Sequence, residues 1–350
     1  MLPQCIQKVI NELHIEESQL YLSNRNRNSN SQPPPIDVVF GYGVFNGSYL
    51  HGAAYFLQAM EDRGWLQVRR ISGSSIGAYL GLLYLTRQLD IPLEYYGHMV
   101  DSLREHHCLK TLKTIFDEAK KRLPADVCQR VNGKLFVSYH DISRCKKVTL
   151  RHFRDVDHLM DCIYRSCFVP YLINGEPFYR GRYLDGILPY VFPHGGRHHH
   201  HHAKKHSHSV HVHVPILYID LMNSVQRLCS STLVKNEKNN FHRVLTGLLD
   251  THSFFLQRGS TMCSYVHDWS FIQRNLYRLQ CATERAFVIV MAVYLYLLYF
   301  YQFGRKTQRT RQTNNQPQAQ TNNQPQTPYE RLWSRVQPAL LDFVMQQFVI

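Results

Sequence analysis

Ser75 stands between glycines in Gly73-Ser74-Ser75-Ile76-Gly77, and the text on either side restricts what the chain can build there. Residues 68–71 form a short strand pattern, and residues 76–89 form an apolar helix pattern. Small residues at Gly73 and Gly77 allow a strand to turn sharply into a helix, with the serine hydroxyl exposed at the helix start. A serine held this way supports acyl transfer through a covalent intermediate.

The same order occurs once before. Residues 36–40 read as a buried strand, Gly41 to Gly47 as a glycine-rich turn, and residues 48–63 as a helix closed by Gly64. Two successive strand-turn-helix units argue for an α/β fold with a mostly parallel sheet. Residues 135–138, 147–150 and 214–221 are further strand candidates, and residues 156–167 a helix ending near Pro170.

The glycine turn at 41–47 lets backbone N–H groups point into one cavity, as an oxyanion hole requires. A phosphate loop would need GxGxxG or a GK[ST] ending, and the turn has neither. For the base, His51, His98, His106, His107 and His140 sit in no diagnostic pattern. Asp185 ends a strand-like run, and Gly186 lets the chain turn so that the carboxylate enters a cleft. A partly desolvated aspartate has a raised pKa and accepts a serine proton directly. A Ser-His-Asp triad on an α/β-hydrolase is the alternative, and it would need an essential histidine downstream of Asp185.

The net charge of +14 favours anionic partners. No helix-turn-helix, zinc-finger or RNA-recognition signature is present, so a membrane surface is expected rather than nucleic acid. Nine scattered cysteines with no CxxC pair imply a reducing, intracellular setting. The first thirteen residues lack a basic segment followed by an apolar one, so no secretory signal is expected.

The expected organisation is a short helix and polar linker over 1–35, then a catalytic domain over 36–280. A histidine-rich insert at 194–213 reads as a low-complexity loop rather than a metal site, so no metal or cofactor is expected. Residues 286–303 are uncharged and apolar, long enough for a membrane-associated or single-pass helix. A low-complexity linker follows over 304–328, repeating Thr-Asn-Asn-Gln-Pro-Gln. Residues 329–350 carry an amphipathic helix pattern.

Four segments in order resemble the patatin-like phospholipase family: the turn at 41–47, GSSIG at 73–77, Ser166-Cys167-Phe168-Val169-Pro170, and Arg182-Tyr183-Leu184-Asp185-Gly186. With Asn132-Gly133-Lys134-Leu135-Phe136-Val137-Ser138, the text is most similar to the animal branch that includes adiponutrin and adipose triglyceride lipase. The resemblance covers roughly residues 36–225. It implies a three-layer α/β/α domain, a Ser75–Asp185 dyad, and an oxyanion turn containing Gly43, Val44 and Gly47. It also implies hydrolysis of phospholipid or acylglycerol esters at a membrane or lipid-droplet surface. Tyr42 and Val44 replace glycines and Asn46 the basic residue of the family's GGGxRG turn, and Ile187 replaces a small residue after Asp-Gly. An inactive lipid-surface scaffold is therefore the non-enzymatic alternative.

Overall fold

Pro35–Phe40 forms β1, an almost uniformly buried strand at the centre of the sheet. Both faces of β1 are covered, so it carries a continuous apolar run rather than an alternation with polar residues. Val38 and Phe40 point to one face and Val39 to the other, following the two-residue period of a strand. The computed structural model describes residues 2–13, 33–106, 108–193, 214–221, 239–257 and 259–313.

The other strands are β2 (Gln67–Ser74), β3 (Leu135–Asp141), β4 (Lys146–Leu150), β5 (Tyr183–Asp185), β6 (Ile216–Ile219) and β7 (Cys263–Tyr265). Among the described residues they form one seven-stranded sheet in the order β4-β3-β2-β1-β6-β7, with β5 also on β3. The pairs β3-β2, β2-β1 and β1-β6 are parallel, while β4, β5 and β7 run antiparallel at the margins. This is the mixed α/β architecture with a parallel centre that the two strand-turn-helix units predict.

The helices are α1 (Leu2–Glu12), α2 (Gly47–Asp62), α3 (Ile76–Thr86), α4 (Ile91–His106), α5 (Thr111–Arg122), α6 (Val127–Val131), α7 (Val156–Ser166), α8 (Phe241–Phe255) and α9 (Phe271–Thr313). The larger core joins α2 to α8 with Val38, Phe40, Ile71 and Ile219 of the sheet. A second core covers the opposite face, where Val39, Phe136 and Tyr218 meet Phe192, Trp269 and Tyr277. The N-terminal helix is docked as well: Ile6 and Ile10 are buried, beside Tyr55 and Ala59 of α2.

Two boundaries differ from the expectation. α9 starts at Phe271, well before the apolar run at 286–303, and continues to Thr313 into what reads as linker. The residues before Ala286 are mixed polar and apolar, and they are helical because Tyr277 and Glu284 pack on the body. The insert at 194–213, most of the low-complexity linker and the amphipathic pattern at 329–350 lie outside the described residues.

Candidate active site

The register of β3 explains how two residues 110 positions apart in sequence meet. β2 runs along β3 with Ser74 opposite Ser138 and then leaves the sheet at Ser75. β5 takes over the same edge, with Asp185 opposite Tyr139. Ser75 and Asp185 therefore follow one another along a single strand edge.

The turn at Ser75 is tight. Ser75 has φ 53° and ψ −133°, a conformation that side chains rarely adopt, and it caps α3. A Cβ on Gly77 would lie 2.4 Å from the Gly41 carbonyl oxygen, so the first turn of α3 can approach the glycine turn only with glycine there. A Cβ on Gly186 would lie 2.0 Å from the Ser138 carbonyl oxygen, and that close approach seats Asp185. Gly73 faces Gly77 across the elbow.

Positive φ recurs around the site. Val44 has φ 43° and Ile187 φ 50°, both β-branched. Each such residue costs on the order of 1–3 kcal/mol and persists only where its surroundings fix it. Val44 and Ile187 are two of the departures from the family pattern, and the backbone keeps a left-handed conformation at both. Among the described residues, neither the Gly43 nor the Val44 N–H donates a hydrogen bond within the protein. The Gly47 N–H turns back on the Val44 and Phe45 carbonyls, and the Gly47 Cα is pressed against Ile76.

Asp185 is buried. Its Oδ1 accepts the Ile187 N–H at 2.7 Å, while Oδ2 has no hydrogen-bond partner among the described residues. Burial pushes its pKa up to about 6, opposed by the Ser75 hydroxyl and the Ile187 N–H. The Ser75 hydroxyl is thus close enough to act on the carboxylate electrostatically, although no hydrogen bond of ordinary length joins the two. A buried, partly unsatisfied carboxylate beside a serine is suited to receive that serine's proton.

None of the described histidines is hydrogen-bonded to Ser75. His51 is buried against the Leu89 carbonyl, and burial lowers its pKa to about 4. His140 Nδ1 donates to the backbone carbonyl of Asp185 at 2.7 Å, so it supports the Asp185 segment rather than Ser75.

Arg243 and Glu284 at the site escaped sequence reasoning, while Ser166 and Phe168 were marked only by the family resemblance. Ser166, at the end of α7, accepts the Ser75 N–H at 2.9 Å, and Phe168 O accepts the Asp185 N–H at 2.9 Å. The Ser-Cys-Phe segment therefore ties Ser75 to Asp185; its match to the family was the only signal for it. Arg243 of α8 is buried and donates to Asn46 Oδ1, placing a cation against the glycine turn. Nothing in the local pattern of α8 marks it. Glu284 of α9 is buried beside the Asp185 segment, although in sequence it reads as the polar edge of an apolar run.

Ser75 opens into an apolar cavity. Phe45, Leu80, Tyr96, Ile115 and Val169 are among its walls, and most of the lining is apolar. α4 and α5 supply the far wall.

No protein-family model matches the chain. It is 27% identical over 237 residues to human 1-acylglycerol-3-phosphate O-acyltransferase PNPLA3, an alignment covering 61% of this chain and 49% of that protein. The mouse protein of the same name is 25% identical over 238 residues, covering 61% and 57%. Human omega-hydroxyceramide transacylase is 27% identical over 161 residues, covering 43% and 30%. All three are patatin-like proteins. Over about 60% of its length the chain is similar to these patatin-like proteins. The chain spans about half the length of the first two relatives. Among its described residues, one helix segment, Phe271–Leu298, is long and apolar enough to cross a membrane.

Proposed function

We propose that the chain is a serine lipid acyl hydrolase that cleaves carboxylic esters of phospholipids or acylglycerols. The observation that carries the reading is the strained Ser75 elbow, which opens into an apolar cavity with the buried Asp185 carboxylate beside it. Ser75 Oγ attacks the ester carbonyl while Asp185 takes its proton. The charge on the tetrahedral oxygen falls to the Gly43 and Val44 N–H groups and the positive end of α3. Collapse expels the alcohol, which takes the proton back from Asp185 and leaves an acyl-serine. Water then attacks with Asp185 as base and releases the fatty acid. The apolar walls suit an acyl chain.

The relatives named as an acyltransferase and a transacylase favour a second acceptor. A lipid hydroxyl in place of water gives acyl transfer from the same acyl-serine. The exposed apolar face of α9 supports work at a membrane or lipid-droplet surface.

The test compares wild type with Ser75→Ala and Asp185→Asn, purified in detergent and given mixed phospholipids and acylglycerols. Mass spectrometry follows fatty-acid release and acyl transfer to an added lysolipid. Loss of both products in both variants supports the dyad. Products that persist place the chemistry elsewhere, and a folded but inert wild type supports the scaffold reading.

A further inference from the structure

α9 carries a buried carboxylate, Glu284, just before its apolar run. Glu284 accepts from Lys147 Nζ at 2.8 and 3.1 Å and from the Leu188 N–H at 3.1 Å. Its Oε1 lies 3.5 Å from His140 Nε2. Burying a carboxylate is costly unless charge and hydrogen bonds compensate it, and here Leu188 follows Asp185 in the chain, His140 lies on the neighbouring strand β3 and Lys147 on β4 beyond it.

The segment from Asp185 to Leu188 is held at both ends. At its start, His140 Nδ1 donates to the Asp185 carbonyl. At its end, Glu284 takes the Leu188 N–H. Between them, Asp185 Oδ1 holds the N–H of Ile187, whose φ is 50°. A strained turn keeps its shape only while both ends are fixed. α9 is seated by one stripe: Val288 is buried against Ile142, Phe178 and Leu184, and Met291 and Leu295 follow it at helical spacing. Tyr294 adds a hydroxyl contact to Tyr171.

We propose that Glu284 is a positioning residue for Asp185, which makes the geometry of the base depend on how α9 is seated. The proposal rests on the Ser75–Asp185 reading. Lifting α9 would free the Leu188 N–H and separate Glu284 from Lys147, leaving the turn held by His140 at its start and by Ser74 Oγ, which donates to the Ile187 carbonyl at 2.6 Å, but with no hold at Leu188. The helix that presents apolar side chains to the outside thus also fixes the catalytic carboxylate.

The charges around Asp185 supply a readout that a purely structural role would not move. The groups facing it are Tyr42 of the glycine turn, His140 on β3, Lys147 on β4, Cys167 after α7, Ser75 and Glu284. Glu284 raises the proton affinity of Asp185, and Lys147 lowers it.

The experiment follows hydrolysis of a soluble short-chain nitrophenyl ester by the full chain in detergent from pH 4.5 to 8.5. It compares wild type, Glu284→Gln and Lys147→Gln, with Ser75→Ala and Asp185→Asn as references. In Glu284→Gln the acid limb of the kcat profile should move down by about half a unit or more. Its kcat should fall about 10- to 100-fold, with KM little changed. In Lys147→Gln the limb should move up. A folded Glu284→Gln with unchanged limb and kcat overturns the proposal, provided both reference variants are inactive. If Glu284→Gln does not fold, Lys147→Gln decides, and an unmoved or lowered limb overturns the proposal. Turnover that survives in the reference variants defeats the dyad reading itself, and the proposal falls with it.

Discussion

Ser166 Oγ accepts the Ser75 backbone N–H at 2.9 Å and donates to the Ser138 carbonyl at 2.6 Å. One hydroxyl thus joins the elbow to β3 and holds a serine backbone that would otherwise relax out of its left-handed conformation. Ser166→Ala leaves two buried backbone groups unpaired, and each costs about 1–3 kcal/mol. The variant should therefore melt at a lower temperature. Its kcat should fall about 10- to 100-fold, since the Ser75 oxygen is then held less firmly, while KM stays near wild type. Thermal denaturation and steady-state kinetics on a soluble ester check both parts.

The Asp185 carboxylate gives a pH signature. Its pKa is about 6 in the folded chain against 3.8 unperturbed, chiefly because it is buried. If Asp185 is the base, as proposed, it must be ionised, so kcat/KM should fall as pH drops through about 6. Stability runs the other way. The folded state binds this proton more tightly than the unfolded state, so the contribution is present below pH 3.8 and lost as pH rises through about 6. A shift of about two units corresponds to about 3 kcal/mol. Asp185→Asn should therefore be inactive yet more stable than wild type at pH 8, with the gain gone at pH 4. Urea denaturation at the two pH values decides it.

The elbow and its flanking strands were legible because their constraints are local. Gly73 and Gly77 are glycines for lack of room, and strand-turn-helix text shows as a change of period. Asp185 was legible through Gly186. The cavity was not, since Tyr96, Ile115 and Phe116 carry ordinary amphipathic helix text, and only the fold turns them toward Ser75. Arg243 and Glu284 were hidden for a different reason. A charge in a helix reads as solvent-facing, and its burial is decided by partners distant in sequence, Asn46 for one and Lys147 for the other.

Two glycines should respond in opposite ways to alanine. At Gly77 the new Cβ meets the Gly41 and Phe40 carbonyl oxygens at 2.4 and 2.7 Å, and neither backbone can give way without moving β1. Gly77→Ala should cost about 3 kcal/mol or more and abolish turnover. Gly97 lies inside α4 with open space around it. Gly97→Ala should stabilise the chain by about 0.5–1 kcal/mol, because alanine suits a helix interior better than glycine. Chemical denaturation of the two variants side by side measures both.

The last prediction separates the two faces of α9. Val288 and Leu295 pack toward the body, while Ile289, Val293 and Leu297 are mostly exposed, at 58%, 54% and 59%. An apolar stripe of that extent is costly in water and gains by entering lipid. Each such side chain contributes about 1.5–3 kcal/mol when fully buried, so replacing all three with serine should weaken binding to phospholipid vesicles by about 100-fold or more. Turnover of a soluble short-chain ester should stay near wild type, because none of the three touches the cavity or the Asp185 segment. Val288→Ser should do the reverse: it removes a packed side chain, lowers the melting temperature and disturbs the Asp185 segment, but leaves the exposed stripe intact. Vesicle co-sedimentation alongside soluble-ester kinetics distinguishes them. Equal loss of both activities in both variants would mean that α9 serves only to hold the fold together.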